Sequence, residues 1–537
     1  MTKGFLAFVL HAHLPYVRHN KEGELAEDWL YEAITETYIP LIIIMNRLVK
    51  EGVNFQYTIN ISPSLASMLG DELLQERYHK HVLKLIELSE KELQRTKDQP
   101  ELYRLAEMYN YLYKEVYYFF HEKYHNNILA AFKEFQERGN IEIITSAATH
   151  AYLPLLLTDE ARNAQIKTGI ETYQQFFGKR PNGIWLPECA FKPGLDQILA
   201  ENDLRYFISS SHGILHAAPR PRYGLYAPIY TPAGVAAFGR DIESSKQVWS
   251  ANEGYPGDYN YREFYRDIGY DLDYDYIKEY LPSGIRKHIG FKYYKITSKN
   301  NWKEVYDPIA ARDKAAEHAG NFMFNRQQQI NYLTQILDRK AIIVSPYDAE
   351  LFGHWWFEGP QWLEFLFKKL HYDQDEIETI SLSSYLDHYP KNQIAMPTES
   401  SWGYKGYHEV WLNGTNDWIY RHLHQAELKL IELADCFAYL NDQKDKRYRA
   451  LNQLVRELLL AQSSDWAFIM KADTMVDYAI LRTKKHLHNF SQLVEGIERN
   501  NIDLTKLTEL EKEDNIFPAI DFKMYQPRSK VQLRKEG

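Results

Sequence analysis

The sequence predicts an α/β protein in which an irregular β/α barrel is followed by an all-α domain. Two observations carry this. Short apolar segments of strand length alternate with long helical patterns, and each ends in a burst of polar and aromatic residues, as parallel strands do when they feed a site at their carboxyl ends. From about residue 422 to 500, by contrast, helical periodicity runs on with no strand candidate.

In chain order, residues 5–10 run into His11-Ala12-His13, 55–61 into Ser62-Pro63, and 141–144 into Thr149-His150-Ala151-Tyr152. Residues 183–186 run into Pro187-Glu188-Cys189, 207–211 form a weaker strand, and 341–344 run into Ser345-Pro346-Tyr347-Asp348. Between the second and third strands, residues 71–138 are rich in Glu, Lys, Leu and Tyr, with Pro100 dividing them into two long helices. That is too long for a plain crossover and reads as a helical insertion. Thr158-Asp159-Glu160 opens a further helix with a hydroxyl cap and first-turn acids, and Gly178 before Pro181 closes it. The expected organisation is a barrel over residues 1–420, with the insertion at about 71–138 and a loop-rich region at about 189–305, then a helical bundle over 421–537 with a loosely held polar end.

Composition excludes several classes. A net charge of −10 argues against a nucleic-acid partner. The longest apolar run, residues 39–45, is far short of the roughly 20 residues a membrane helix needs. The N-terminus lacks a cleavage pattern, and two cysteines, Cys189 and Cys436, suit a reducing compartment. The expectation is a cytoplasmic protein with no membrane partner; no dimer seam is visible. Aromatic residues, 14% of the chain, suit a surface that grips something flat and extended, such as carbohydrate.

The chemistry sits at strand ends. Glu188 lies among apolar and aromatic neighbours in Trp185-Leu186-Pro187-Glu188-Cys189, and Asp348 lies likewise before Phe352, Trp355 and Trp356. Burial against rings raises a carboxyl pKa into the range useful for proton donation. Two such acids suit glycosidic-bond chemistry, in which one attacks the anomeric carbon and the other protonates the leaving oxygen. The alternative for any one acid is a helix cap or an Arg partner. His11 and His13, two apart on a strand, share a face. They could ligate zinc with His150 or His354, bind hydroxyls or a carboxylate, or be satisfied core histidines. Residues 238–258 read as a long structured loop, a lid or binding wall with Trp249 and Gly257 in it, or a plain connection. Trp402, Trp411 and Trp418 could stack on sugar rings or pack the seam between barrel and bundle. Ser463-Ser464-Asp465-Trp466 breaks a helical pattern with polar residues, a hint that the bundle reaches the site.

These motifs, from HAHLPYVR through THAYLPLL, WLPECAF, GRDIESSKQVWSANEGYPGDYNYREFYRDIG and SPYDAELFGHWWFEGP to SSWGYKGYHEVWLN, resemble glycoside hydrolase family 57, most closely its glycogen-branching members with a C-terminal helical domain. The resemblance implies an incomplete seven-stranded β/α barrel and retaining chemistry on α-1,4-glucans (amylose, amylopectin, glycogen) without metal or other cofactor. It makes Glu188 the nucleophile and Asp348 the acid/base, with His11, His13 and His150 lining the adjoining subsite. It implies substrate contacts at Arg240, Gly257, Trp402 and Asp465, and aromatic walls at Trp249 and Trp411. Branching members use a long loop bearing a Tyr to cover the intermediate; residues 212–230, with Tyr223 and Tyr226, are the short counterpart here. A short cover would admit water, which keeps α-amylase-type hydrolysis as the alternative; branching by transfer to a 6-hydroxyl is the expected activity, because the aromatic and helical-domain contacts could hold an acceptor chain. A zinc-dependent glycan hydrolase or deacetylase and a non-catalytic glucan-binding protein are the remaining readings.

Overall fold

The axis of the fold is strand β1 (Gly4–Ala12), nine residues buried end to end. In the computed structural model, which describes residues 2–21, 26–250, 253–281, 284–297 and 302–527, it pairs in parallel with β2 (Tyr57–Ile61) on one side and β8 (Ala341–Asp348) on the other. A strand covered on both faces must be apolar on both, and its alternate side chains divide between two cores. Phe5, Ala7 and Val9 join Trp185, Ile208, Ile342 and Val344 inside the barrel. Leu6, Phe8 and Leu10 belong to the larger core under the surrounding helices.

The sheet continues through β3 (Ile141–Ser146), β4 (Gly183–Trp185), β5 (Tyr206–Ser209), β6 (Ile229–Tyr230) and β7 (Ala236–Gly239), in the order β6-β7-β5-β4-β3-β2-β1-β8, while β9 (Ile377–Thr379) pairs with β1. Seven strands had been expected, and nine are present among the described residues. The run from β7 to β8 is parallel throughout. The additions are β6, antiparallel on the edge of β7, and β9, beside the first three residues of β1. At two and three residues, β6 and β9 show no period of two. The ends of the sheet meet through single hydrogen bonds, from the Asp241 amide to the Val344 carbonyl (2.8 Å) and from the Ile342 amide to the Tyr226 carbonyl (3.0 Å).

The insertion holds three helices rather than two: Glu72–Thr96, capped by the Asp71 carboxylate, Pro100–Tyr117, begun by its proline, and Ile128–Glu137. The third packs on β3 and buries Phe132 and Phe135, so it is the barrel crossover with the other two inserted before it. The helix Asp159–Phe177 has the Thr158 cap and the left-handed Gly178 end that its sequence predicts. Residues 238–258 are not one loop. Phe238 and Gly239 end β7, and Asp241 caps a helix over Ile242–Trp249 whose interspersed Ser and Gln mask its period; Ala251 and Asn252 lie outside the described residues.

The C-terminal helices are Trp418–Cys436, Lys446–Ala461, Ser464–Ala472, Val476–Glu498 and Leu504–Glu513. They are joined to the barrel by buried polar bonds. Glu427 accepts from the Thr158 amide and hydroxyl, both at 2.9 Å, and from the Leu157 amide at 3.1 Å. Residues 528–537, the polar end of the sequence, lie outside the described residues. Both cysteines are free, and no described helix is long and apolar enough to cross a membrane.

Candidate active site

The parity that sends Phe5, Ala7 and Val9 inward carries on to His11, and the parity of Ile342 and Val344 carries on to Asp348. Register places His11 directly opposite Asp348. Both therefore stand at the carboxyl end of the barrel on its inner face. Glu188 arrives from the adjacent side, in the turn Pro187–Cys189 that follows β4. Its φ is +62°, and those of Cys189 and His150 are +49° and +57°. Left-handed backbone at non-glycine residues is held only where the surroundings over-determine it, and it gathers at functional sites.

The Glu188 carboxylate is gripped from outside the barrel strands. The Trp402 indole N–H donates to Oε2 at 2.6 Å, and the Trp402 amide donates to the Glu188 carbonyl at 3.0 Å. The Ser464 hydroxyl, from the helical domain, donates to Oε1 at 3.4 Å. Arg240 follows β7, with its guanidinium tethered to Ser245 at 2.9 Å and lying 5.6 Å from the Trp402 ring. Trp402, Arg240 and the half-exposed Trp249 line a cavity of about 300 Å³ together with His212, Ser210 and Gly403.

Four rings form a stack beside the acids: Trp185 on His11 (4.6 Å), His11 on His150 (4.9 Å) and His150 on His13 (4.0 Å). Asn60 gives its amide N–H to the Ile144 carbonyl, so its oxygen is the acceptor for His11 Nδ1, 2.6 Å away. His13 Nδ1 lies 2.8 Å from the Ser62 hydroxyl, and His13 Nε2 lies 3.1 Å from Asp465. Burial keeps His11 and His150 neutral. It acts the same way on His13, but Asp465 outweighs it and holds that ring above its ordinary pKa. The extra proton of the stack thus sits on the ring that faces Asp465.

Burial raises both acids, Glu188 to about 8 and Asp348 to about 6, the latter against the pull of Arg240 and His13. Taken singly, these values would put the shared proton on Glu188. The two donors on Glu188 pull the other way, towards its ionised form. The two titrate as a pair, with steps at about 6 and about 8.

The structure thus brings together Glu188, Asp348, His11, His13, His150, Arg240, Trp402 and Asp465, with Trp249 on the cavity wall. The remaining expectations fare differently. Trp411 is no wall: it is buried against Tyr152, ring centroids 4.5 Å apart, in the packed seam. Gly257, expected as a substrate contact, is the exposed end of a turn over Tyr255–Gly257 whose Tyr255 is buried. Tyr223 and Tyr226 are at the wrong end of the barrel. Tyr223 bonds Asp338 and Tyr226 meets Ile342, at the start of the strand whose far end bears Asp348, about 20 Å away at about 3.3 Å per residue. Residues not singled out by sequence reasoning also matter here. Glu350 accepts from the His13 amide at 3.2 Å and from the Tyr38 hydroxyl, and Ser62 orients His13. Ser464 sits in the polar break that did mark Asp465.

At this site the set able to hold a divalent ion is His13, His150 and Asp465, whose ligand atoms lie within 4.8 Å of one another. The two imidazoles are stacked, however, so their in-plane lone pairs run side by side rather than converging, and both His13 nitrogens are engaged in hydrogen bonds. His354 is bonded to Glu36 at 2.6 Å and shares no described contact with His11 or His13. A second potential set, Glu457, His486 and Asp514, is buried in the helical domain.

Comparison with known proteins agrees with this architecture. The model of glycosyl hydrolase family 57 matches residues 7–397, and that of the 1,4-alpha-glucan branching enzyme C-terminal domain matches 422–525. A protein of Thermococcus kodakarensis named 1,4-alpha-glucan branching enzyme TK1436 is 36% identical, across 96% of this chain and 78% of its own. Among solved structures, the alpha-amylase AmyC of Thermotoga maritima is 45% identical with a TM-score of 0.91, covering 98% of this chain and 99% of that one. The family 57 branching enzyme of Pyrococcus horikoshii is 34% identical with a TM-score of 0.88, covering 98% and 97%.

Proposed function

The chain belongs to glycosyl hydrolase family 57 and carries that family's branching-enzyme C-terminal domain, and we propose that it is a retaining 1,4-α-glucan branching enzyme with Glu188 as nucleophile and Asp348 as acid/base. The observation that carries the mechanism is the pair of donors on Glu188, Trp402 and Ser464, beside an Asp348 whose carboxyl burial raises to about 6, towards the range of a proton donor. Asp348 gives its proton to the glycosidic oxygen as the bond to C1 breaks. Glu188 forms a bond to C1 from the opposite face and leaves a glycosyl-enzyme. The 6-hydroxyl of an acceptor chain then attacks C1, its proton passes to the Asp348 carboxylate, and the bond to Glu188 breaks. Two inversions retain the anomeric configuration. His11, His13, His150 and Asp465 are placed to bind hydroxyls of the sugar at the reacting centre, and Arg240 and Trp249 to line the groove. The substrates proposed are amylose, amylopectin and glycogen.

One observation favours hydrolysis as a second reading. Neither Tyr223 nor Tyr226 reaches the site, so neither covers the intermediate against water, and a relative at 45% identity is described as an alpha-amylase. Incubation with amylose separates the two. Branching yields linkages sensitive to a 1,6-specific debranching enzyme with few new reducing ends; abundant reducing sugar without such linkages would mark a hydrolase.

A further inference from the structure

We infer that Ser464, supplied by the helical domain, is a positioning residue that sets the tautomer of His150 and aims Oε1 of Glu188. The inference rests on the proposed role of Glu188. Ser464 is buried, and its amide donates to the His150 carbonyl at 3.2 Å, in line with the bridge between Ala151 and Ser463. Its hydroxyl lies 2.9 Å from His150 Nδ1 and 3.4 Å from Glu188 Oε1, while His150 Nε2 is buried with no partner among the described residues.

A hydroxyl has one hydrogen to give. If Ser464 gave it to His150, the imidazole proton would sit on Nε2 as an orphaned buried donor, and Glu188 Oε1 would lose its only donor among the described residues. With the proton on Nδ1, His150 donates to Ser464, Ser464 donates to Glu188, and each bond strengthens the next. His150 Nε2 is then left as a bare acceptor, which costs less to bury than an unpaired N–H donor. Glu188 is held at both oxygens by groups outside the barrel strands, so the helical domain takes part in orienting the nucleophile. The titratable groups facing Glu188 are Asp348 at the end of β8, His13 after β1, His150 and Tyr152 after β3, the adjoining Cys189, and Asp465 beside Ser464.

The test is the pH profile of glycosidic bond cleavage, read as loss of iodine colour on amylose, for Ser464→Ala and Ser464→Thr in the full chain. The alanine variant should lose about tenfold in kcat with KM little changed. The acidic limb of its kcat/KM should move up by about half a unit to one unit, because the ionised form of Glu188 has lost a donor. Threonine, which keeps the hydroxyl, should restore the limb. A folded alanine variant with an unmoved limb overturns the inference, whatever its rate. Should the alanine variant not fold, Ser464→Cys, a weaker donor of similar size, should move the limb the same way by less, and no movement there overturns the inference equally. Cleavage precedes the partition between transfer and water, so this result is independent of whether the products are branched. Glu188→Gln, run alongside, separates failure of the nucleophile assignment from failure of the role given to Ser464.

Discussion

At the residue scale, the site works by withholding water. Glu188 and Asp348 would be unremarkable carboxylates in solvent; burial raises both, and two donors favour the ionised form of Glu188. Catalysis needs the pair to hold one proton, so kcat/KM should be bell-shaped. It should fall below about pH 6 as a second proton binds and above about pH 8 as the last is lost. A flat profile between pH 5 and 9 (roughly, on the same macroscopic model) would contradict this. Replacing Glu188 by Gln or Asp348 by Asn should each lower kcat on amylose by about a thousandfold or more while the fold persists, since neither substitution changes side-chain volume much. Wild-type rates in both variants would leave a binding protein as the better description. Sequence alone could name these two acids because each follows an apolar strand among rings. It could not place Ser62 or Glu350, because nothing local to a serine or a glutamate says that a histidine will face it.

At the element scale, close approach of backbones aims the site. Gly353 has φ +116°, and a Cβ there would lie 1.8 Å from the Glu36 carbonyl. Gly353→Ala should therefore cost about 2 kcal/mol or more and lower kcat, because the displaced turn carries Glu350 and its bond to the His13 amide; calorimetry and kinetics on one preparation test both. Another polar clasp lies at Asp267. Its buried carboxylate accepts from the Gly269, Ile289 and Gly290 amides at 2.8, 2.9 and 3.0 Å and pairs with Lys292 at 3.2 Å. Burial alone would raise its pKa; Lys292, His288 and these amides hold it well below the usual carboxylate range. A lowered folded pKa means stability that is present above the unfolded value of about 3.9 and lost as pH falls towards the folded one. Asp267→Asn should cost about 3–5 kcal/mol at neutral pH, since it leaves Lys292 buried without its counter-charge. The gap in melting temperature between variant and wild type should narrow below about pH 4. Long elements with a cap and a terminator, such as Asp159–Phe177, were legible from sequence because their signals are local. The helix Ile242–Trp249 was not, because its serines and glutamine mask the apolar stripe.

At the scale of the whole molecule, the helical domain completes the barrel. Ser464 touches Glu188 and Asp465 touches His13, so the seam between the domains runs beside the reaction centre. Glu427, midway along the helix Trp418–Cys436, bonds it to the Thr158 cap of the barrel's helix Asp159–Phe177. Glu427→Ala should strip that cap of its partner, lower stability by about 1–3 kcal/mol and reduce kcat in step. Full activity despite a lowered melting temperature would show that the seam and the chemistry are uncoupled. The alternation of strands and helices, the continuous helical end and the two acids at strand ends are properties of the sequence alone, because burial imposes its period on each segment separately. The strand count, the removal of Trp411 to the seam, the distance of Tyr223 and Tyr226 from the site and the donors on Glu188 were decided only by tertiary structure. Each depends on where segments hundreds of residues apart come to rest, and a contact between distant segments leaves no periodic trace in either of them.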